Sequence, residues 1–212
     1  DLILWNPSEI GFNGKGYRDP ATGFSFNTLN RMGDIFIIKS IINTRIEQVQ
    51  NYLKYSNDDQ KPGYQIRYKQ SPGSVGDKNK KELSDKDKKI VDYIVKFLEE
   101  GGENEKWDCE DNFQEFTRKV LNDSLRLDQM CFEVVRSRDL KLKKFRAVDG
   151  ALIRQLDTND PRYAQMFEQF RWHGYLPRYA MVWDGQIIRH PVTGEYVAFY
   201  PWELGYGIRN KT

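Results

Sequence analysis

The chain lacks most of what marks a catalytic or a disulfide-stapled protein. Among 212 residues there are two cysteines and two histidines, too few for a disulfide framework, and Cys131 stands in an apolar run that reads as buried and reduced. A nucleophile needs a base within reach, and only His173 and His190 are on offer, neither of them in a recognisable motif. Cys109, Cys131, His173 and His190 include no close pair of the kind that pre-organises a zinc site. No glycine-rich phosphate loop occurs, because Gly11, Gly14 and Gly16 neither follow a strand pattern nor precede a lysine and hydroxyl pair. A nuclease would need clustered carboxylates, and those present lie in a loop. The expectation is therefore no enzyme, no cofactor and no metal.

Two further absences narrow the class. No apolar run approaches the roughly 20 residues of a spanning helix, and no signal-like segment opens the chain, so a soluble protein with no membrane partner is expected. Lysine and arginine number 33 against 31 acids, a net charge of +2, which points to neither a nucleic-acid glove nor an acidic substrate. The chain begins at Asp1 and ends at Thr212, which reads as a piece of something longer. It is long enough for one large domain or two small ones with a real core.

What is present centres on residues 123–153. Phe113, Phe116, Val120, Leu121 and Leu125 recur at helical spacing, and from Met130 the period drops to two with no linker between. Phe132 and Val134 then point to one face and Cys131, Glu133 and Val135 to the other. Arg138-Asp139 turns the chain, and Leu142, Phe145 and Val148 bring it back. A helix docked on a hairpin is the smallest unit that buries two apolar faces against each other.

Residues 1–30 read as an extended arm lying along a surface, with Gly11, Gly14, Gly16, Gly23, Pro7 and Pro20 denying it regular structure. From Gly33 to Tyr55, the spacing of Ile35, Ile38, Ile42, Ile46, Val49 and Leu53 predicts a core-packed helix, with Ile41 and Tyr52 widening its buried stripe. A loop follows, then a half-exposed strand through Tyr64, Ile66 and Tyr68, then a loop over 70–83. Ser84 opens a helix whose buried stripe is Ile90, Ile94, Phe97 and Leu98 and whose stop is Gly101-Gly102. Residues 99–115 hold eight acids against Lys106 alone and read as a solvated loop leading into the next helix. Beyond Gly150, Asp160-Pro161 starts a short helix through Phe170, Asp184-Gly185 marks a hairpin, and Tyr196 to Tyr200 is a further strand. The fold class is α+β, long amphipathic helices on antiparallel strands and hairpins.

The one local charge signal lies in the hairpin over 136–146. Arg136, Arg138, Lys141, Lys143, Lys144 and Arg146 stand there against Asp139 alone. Such a patch suits an anionic partner, either DNA or an acidic face such as the 99–115 loop on a neighbouring subunit.

The junction also carries a resemblance. Asp123-Ser124-Leu125, Asp128-Gln129, Cys131 through Arg136, a basic turn, and Phe145 through Ala151 with Ile153-Arg154 resemble the N-terminal half of the portal proteins of tailed bacteriophages. Tyr200 through Leu204 and Gly207 through Asn210 look like that family's segment before its pore-lining helices, and Arg31 with Asn43 through Val49 is similar too. The resemblance spans roughly residues 25–212. It implies a wing-like α+β region over 31–212 behind the arm, with pore helices, clip and crown absent. It further implies a structural subunit of a twelve-membered homo-oligomeric ring at one capsid vertex, assembled in the host cytoplasm and carried in the virion. DNA would pass through the ring during packaging and ejection, and the implied partners are the major capsid protein, the terminase large subunit and tail connector or adaptor proteins. The competing readings are a nucleic-acid-binding module using the 136–146 hairpin and, last, a metallonuclease.

Overall fold

The structure, a computed structural model, describes residues 17, 24–56, 60–66, 84–103, 111–183 and 185–208. In chain order these form helices α1 (Phe26–Gly33), α2 (Phe36–Gln50), α3 (Asp85–Glu99) and α4 (Phe113–Leu127), and strands β1 (Gln129–Arg136), β2 (Leu142–Ala147) and β3 (Ile153–Gln155). Helix α5 (Pro161–Phe167) runs into a single 3₁₀ turn, and β4 (Tyr179–Trp183), β5 (Gln186–Ile187), β6 (Ala198–Phe199) and β7 (Leu204–Ile208) complete the fold. The α+β class holds.

Most helix starts are local events. Ser84 accepts the Asp87 N–H at 3.2 Å, Asn112 accepts that of Glu115 at 2.9 Å, and Asp160 accepts that of Arg162 at 2.8 Å, each satisfying a donor that the first helical turn leaves unpaired. Helix α1 is a departure from the extended arm expected over 1–30. Ser25 caps it through Thr28, and Phe26 is buried with Leu127 and Ala151, so packing outweighs the glycine and proline content upstream. Tyr17 is buried against Leu156 and Phe167 in another cluster; residues 1–16 and 18–23 lie outside the described residues.

The helix expected from Gly33 to Tyr55 is shorter, and less of it is covered. Only Ile42 and Ile46 are buried, whereas Ile35, Ile41, Val49 and Tyr52 are exposed. The physical reason is that α4 lies along the inner face of α2 and nothing among the described residues covers the outer one. Helix α3 likewise has no buried residue; Phe97 and Leu98 are half-buried and Ile90 and Ile94 exposed. The strand expected from Tyr64 does not form in its described part: Tyr64 makes one bridge to Tyr55 and packs its ring on Phe113 at 5.3 Å. Tyr68 and the rest of 67–83 lie outside the described residues.

The helix-to-strand junction needs no linker because Asp128 closes α4 in the left-handed conformation, φ 59°, which a short polar side chain tolerates. Strands β1 and β2 then pair antiparallel with Phe132 opposite Ala147 and Val134 opposite Phe145. That face meets α4, with the Phe116 ring 5.6 Å from Phe132 and 4.6 Å from Phe145, in the edge-on geometry aromatic quadrupoles favour. The opposite face is covered at Cys131, which is buried with Ile153 and Leu204 as its apolar surroundings in sequence imply, while Glu133 and Val135 farther along stay partly exposed. Burial pushes the Cys131 thiol up to about 12, which makes it inert.

The first sheet runs β2-β1-β7, and the second β3-β4-β5 with β6 beside β4. Strand β7 is invisible in the sequence pattern because Gly205 and Gly207 interrupt it. The glycines are there for the partner strand: a Cβ on Gly205 would stand 2.2 Å from the Phe132 ring directly opposite. Gln129, buried at the junction, donates to the Gly150 and Ile153 carbonyls and accepts from the Tyr206 hydroxyl, tying both sheets to one turn. The hairpin expected between β4 and β5 forms, with Val182 opposite Ile187 and Gly185 at a φ of 77°, Asp184 itself lying outside the described residues, and α5 packs Tyr163 and Phe167 onto the second sheet.

Candidate contact surface at the basic hairpin

Strand β2 puts its cations on two faces. Side chains alternate along a strand, so Lys143 shares the helix-facing side with the buried Phe145, while Lys144 and Arg146 point to the other. Glu133, directly across from Arg146, meets it at 2.6 Å. Arg136, itself exposed, donates to the Leu140 carbonyl of the turn at 3.1 Å. Arg138 and Lys141 stand exposed at the turn itself, where Ser137 and Lys141 close the chain through a 2.9 Å backbone bond and Leu140 takes a left-handed φ of 60°. The six cations singled out from the sequence therefore make a two-residue tip and a divided stem, not one continuous patch.

The acidic run reaches the same strand within the chain. Gly102 bridges Lys144, Glu103 donates its N–H to the Lys143 carbonyl at 2.8 Å, and Phe145 donates to the Gly101 carbonyl at 3.3 Å. The Gly101-Gly102 pair thus does more than stop α3. A Cβ on Gly102, which has a φ of 131°, would stand 2.4 Å from that of Lys144, so only glycine admits this approach. At the far end of the run, Asp111 pairs with Lys119 at 2.6 Å; Glu105, Asp108, Cys109 and Glu110 lie outside the described residues.

The remaining chemistry-bearing residues are placed structurally. His190 accepts the Val192 and Thr193 N–H groups through Nδ1, both at 3.3 Å, and so caps the turn at Pro191–Gly194. His173 has a φ of 47° and Gly174 one of 85°, a two-residue turn of the type that suits a hairpin, closed by Trp172 and Tyr175 exchanging backbone bonds. The sequence reading missed this turn and the aromatic group around it, in which the Trp202 ring lies 5.4 Å from those of Trp172 and Tyr175 and stacks on Tyr200 at 4.9 Å. The density of Trp and Tyr over 172–202 was its only signal. Among the described residues, no three His, Cys, Asp or Glu side chains are grouped closely enough to hold a metal ion, and no helix is long and apolar enough to cross a membrane.

One polar cleft, of about 390 Å³, lies between α1, α4 and the turn after β2, with Asn30, Lys119, Asn122, Asp123, Arg126 and Asp149 on its walls. Asp123 accepts the Gly150 N–H at 2.8 Å. Burial raises its carboxyl to about 6, against the lowering effect of that bond. The charges on the walls are mixed, so the cleft selects neither an anion nor a cation.

Two relatives carry the comparison with known proteins. The chain is 28% identical over 184 residues, 86% of its length, to a protein of Enterococcus phage phiEF24C named probable portal protein. It is 31% identical over 130 residues, 60% of its length, to one of the same name from Staphylococcus phage Twort. It spans only 28% and 21% of those two proteins. No protein-family model matches the chain.

Proposed function

We propose that this chain, related in sequence to phage portal proteins, is part of a structural subunit of a portal ring in the virion. In this reading identical copies, twelve to a ring, surround a channel at one capsid vertex. DNA passes through it during packaging and ejection, while the terminase large subunit, the major capsid protein and tail connector proteins attach outside. The residues described here contribute the peripheral wing. The observation that carries the reading is the likeness to portal proteins along most of the chain. The junction over residues 123–153, which carries the resemblance, is tied through Asp123, Gln129 and the aromatic contacts of α4. A ring that holds a capsid vertex under load calls for such a rigid junction, and chemistry on DNA or nucleotide falls to the motor instead.

Light scattering and negative-stain electron microscopy of the full-length protein that contains this chain test this directly. Closed rings are the expected result. A monomer at every salt and protein concentration overturns the proposal.

The hairpin tip separates this reading from a DNA-binding module. Arg138→Glu with Lys141→Glu leaves the fold intact, since both residues are exposed at a turn, and is expected to weaken ring assembly or capsid incorporation. If the tip instead held phosphates, the salt dependence of DNA affinity would flatten by about two units of slope, each neutralised phosphate contributing roughly 0.9. Unchanged rings together with that flattening would favour the DNA-binding module.

A further inference from the structure

Helix α2 begins Phe36-Ile37-Ile38 and continues Ile41-Ile42, interrupted by Lys39 and Ser40, so the apolar surface of its first two turns extends well beyond the stripe that faces α4. A contiguous apolar surface of that extent marks an interaction face, and here Phe36, Ile37 and Ile41 are 82, 68 and 58% exposed. Ile37 and Ile41 follow one stripe at 100° per residue, facing away from the buried Ile42 and Ile46, and Tyr52, 63% exposed, stands in the turn just past the helix end. The polar residues along that stripe cost little to cover. Ser40 and Thr44 return their hydroxyls to the Phe36 and Ser40 carbonyls at 2.8 and 2.9 Å, and Arg45, hydrogen-bonded to Gln48, is the one charge among them. Low charge with satisfied hydroxyls is the make-up of an interface centre.

A second such face lies on α3, where Ile90, Tyr93 and Ile94 are 38–55% exposed and the Tyr93 hydroxyl is already bonded to Glu103 at 3.0 Å. At the usual size of such side chains, the two faces together expose on the order of 900 Å² of apolar surface. Apolar atoms make up about 60% of an interface, which corresponds to roughly 1,500 Å² in all and matches a stable contact of standard size.

We propose that the outer face of α2 in one copy of this chain docks on the α3 face of the next copy, an inference that rests on the ring reading above. An isologous pairing would bury one face twice and leave the other wet. A head-to-tail pairing covers both and repeats, and repetition of such a contact closes a ring when its rotation allows.

The test uses the full chain in a Cys109→Ser background, because Cys131 is buried and inert. Chains carrying Ile41→Cys are mixed with chains carrying Ile90→Cys and oxidised. A disulfide-linked pair is expected from the mixture, with none from either chain alone. Ile37→Glu with Ile41→Glu is expected to raise the concentration for half-assembly at least about 100-fold, roughly tenfold per buried carboxylate, with the thermal melt unchanged because both sites are exposed. Rings that form normally with both glutamates and give no mixed disulfide overturn the docking while leaving the ring reading intact. An Ile41→Cys chain that cross-links to itself overturns it in favour of an isologous contact. An unmodified chain that never assembles overturns both.

Discussion

Phe167→Ala is expected to lower the unfolding free energy by about 3–5 kcal/mol, the usual cost of emptying a buried phenylalanine site. Phe167 is 1% exposed and holds α5 on the second sheet, its ring 5.6 Å from both Tyr163 and Tyr196 and 6.1 Å from Phe170. Leu156, Ala180 and Val182 complete the wall around it. The rings lock one another, so the site cannot collapse around the smaller side chain, and a cavity term adds to the lost transfer energy. Against a total stability of about 5–15 kcal/mol, such a loss leaves a large unfolded fraction at 37 °C. Urea denaturation measures it as a lower midpoint at unchanged slope. A change below about 1 kcal/mol would mean that α5 does not pack on the sheet as described.

At neutral pH, Asp123→Asn should be more stable than the parent chain by about 1–3 kcal/mol. The Asp123 carboxyl rises from 3.8 to about 6, first because it is buried and secondarily through Asp149; the Gly150 N–H, Arg126 and Asn122 oppose the rise. A carboxyl whose folded value lies above its unfolded one binds its proton more tightly in the folded state. Its contribution is therefore most favourable below about pH 4, falls as pH rises toward about 6, and stays lower above that. Two units correspond to about 3 kcal/mol at 1.36 kcal/mol each, reduced to the extent that the cleft admits water. Asparagine keeps an acceptor for the Gly150 N–H and removes the charge. Urea midpoints of both chains between pH 4 and pH 7 check the sign: the advantage of the variant should grow across that interval. An advantage that shrinks with rising pH would place the Asp123 carboxylate in a stabilising ion pair instead.

The features legible in the sequence were those made by neighbours along the chain. Ser84 and Asp160 cap helices through bonds two or three residues away, and Gly185, at a φ of 77°, turns a hairpin through backbone conformation alone. The change of period at Asp128 was readable for the same reason, as was the string of residues that resembles portal proteins. Charge could be counted but not aimed. That Lys143 and Lys144 lie on opposite faces of β2, that Glu133 meets Arg146, and that Gly102 brings the acidic run against its own hairpin depend on strand pairing and register.

Tertiary structure alone decided which apolar stripes are covered. Periodicity marks Ile41, Ile90 and Ile94 as equal to Ile42 and Ile46, but burial requires another element against the stripe, and α4 reaches only one side of α2. Strand β7 is the converse. Gly205 and Gly207 give it no pattern of its own, and it exists because β1, more than 60 residues earlier, supplies the hydrogen bonds, with Phe132 and Met130 to fill the space the glycines leave. Contacts between residues adjacent in sequence impose a local period that can be read, whereas contacts between distant segments are settled only when the chain has closed on itself and the backbone donors and acceptors of one segment meet those of the other.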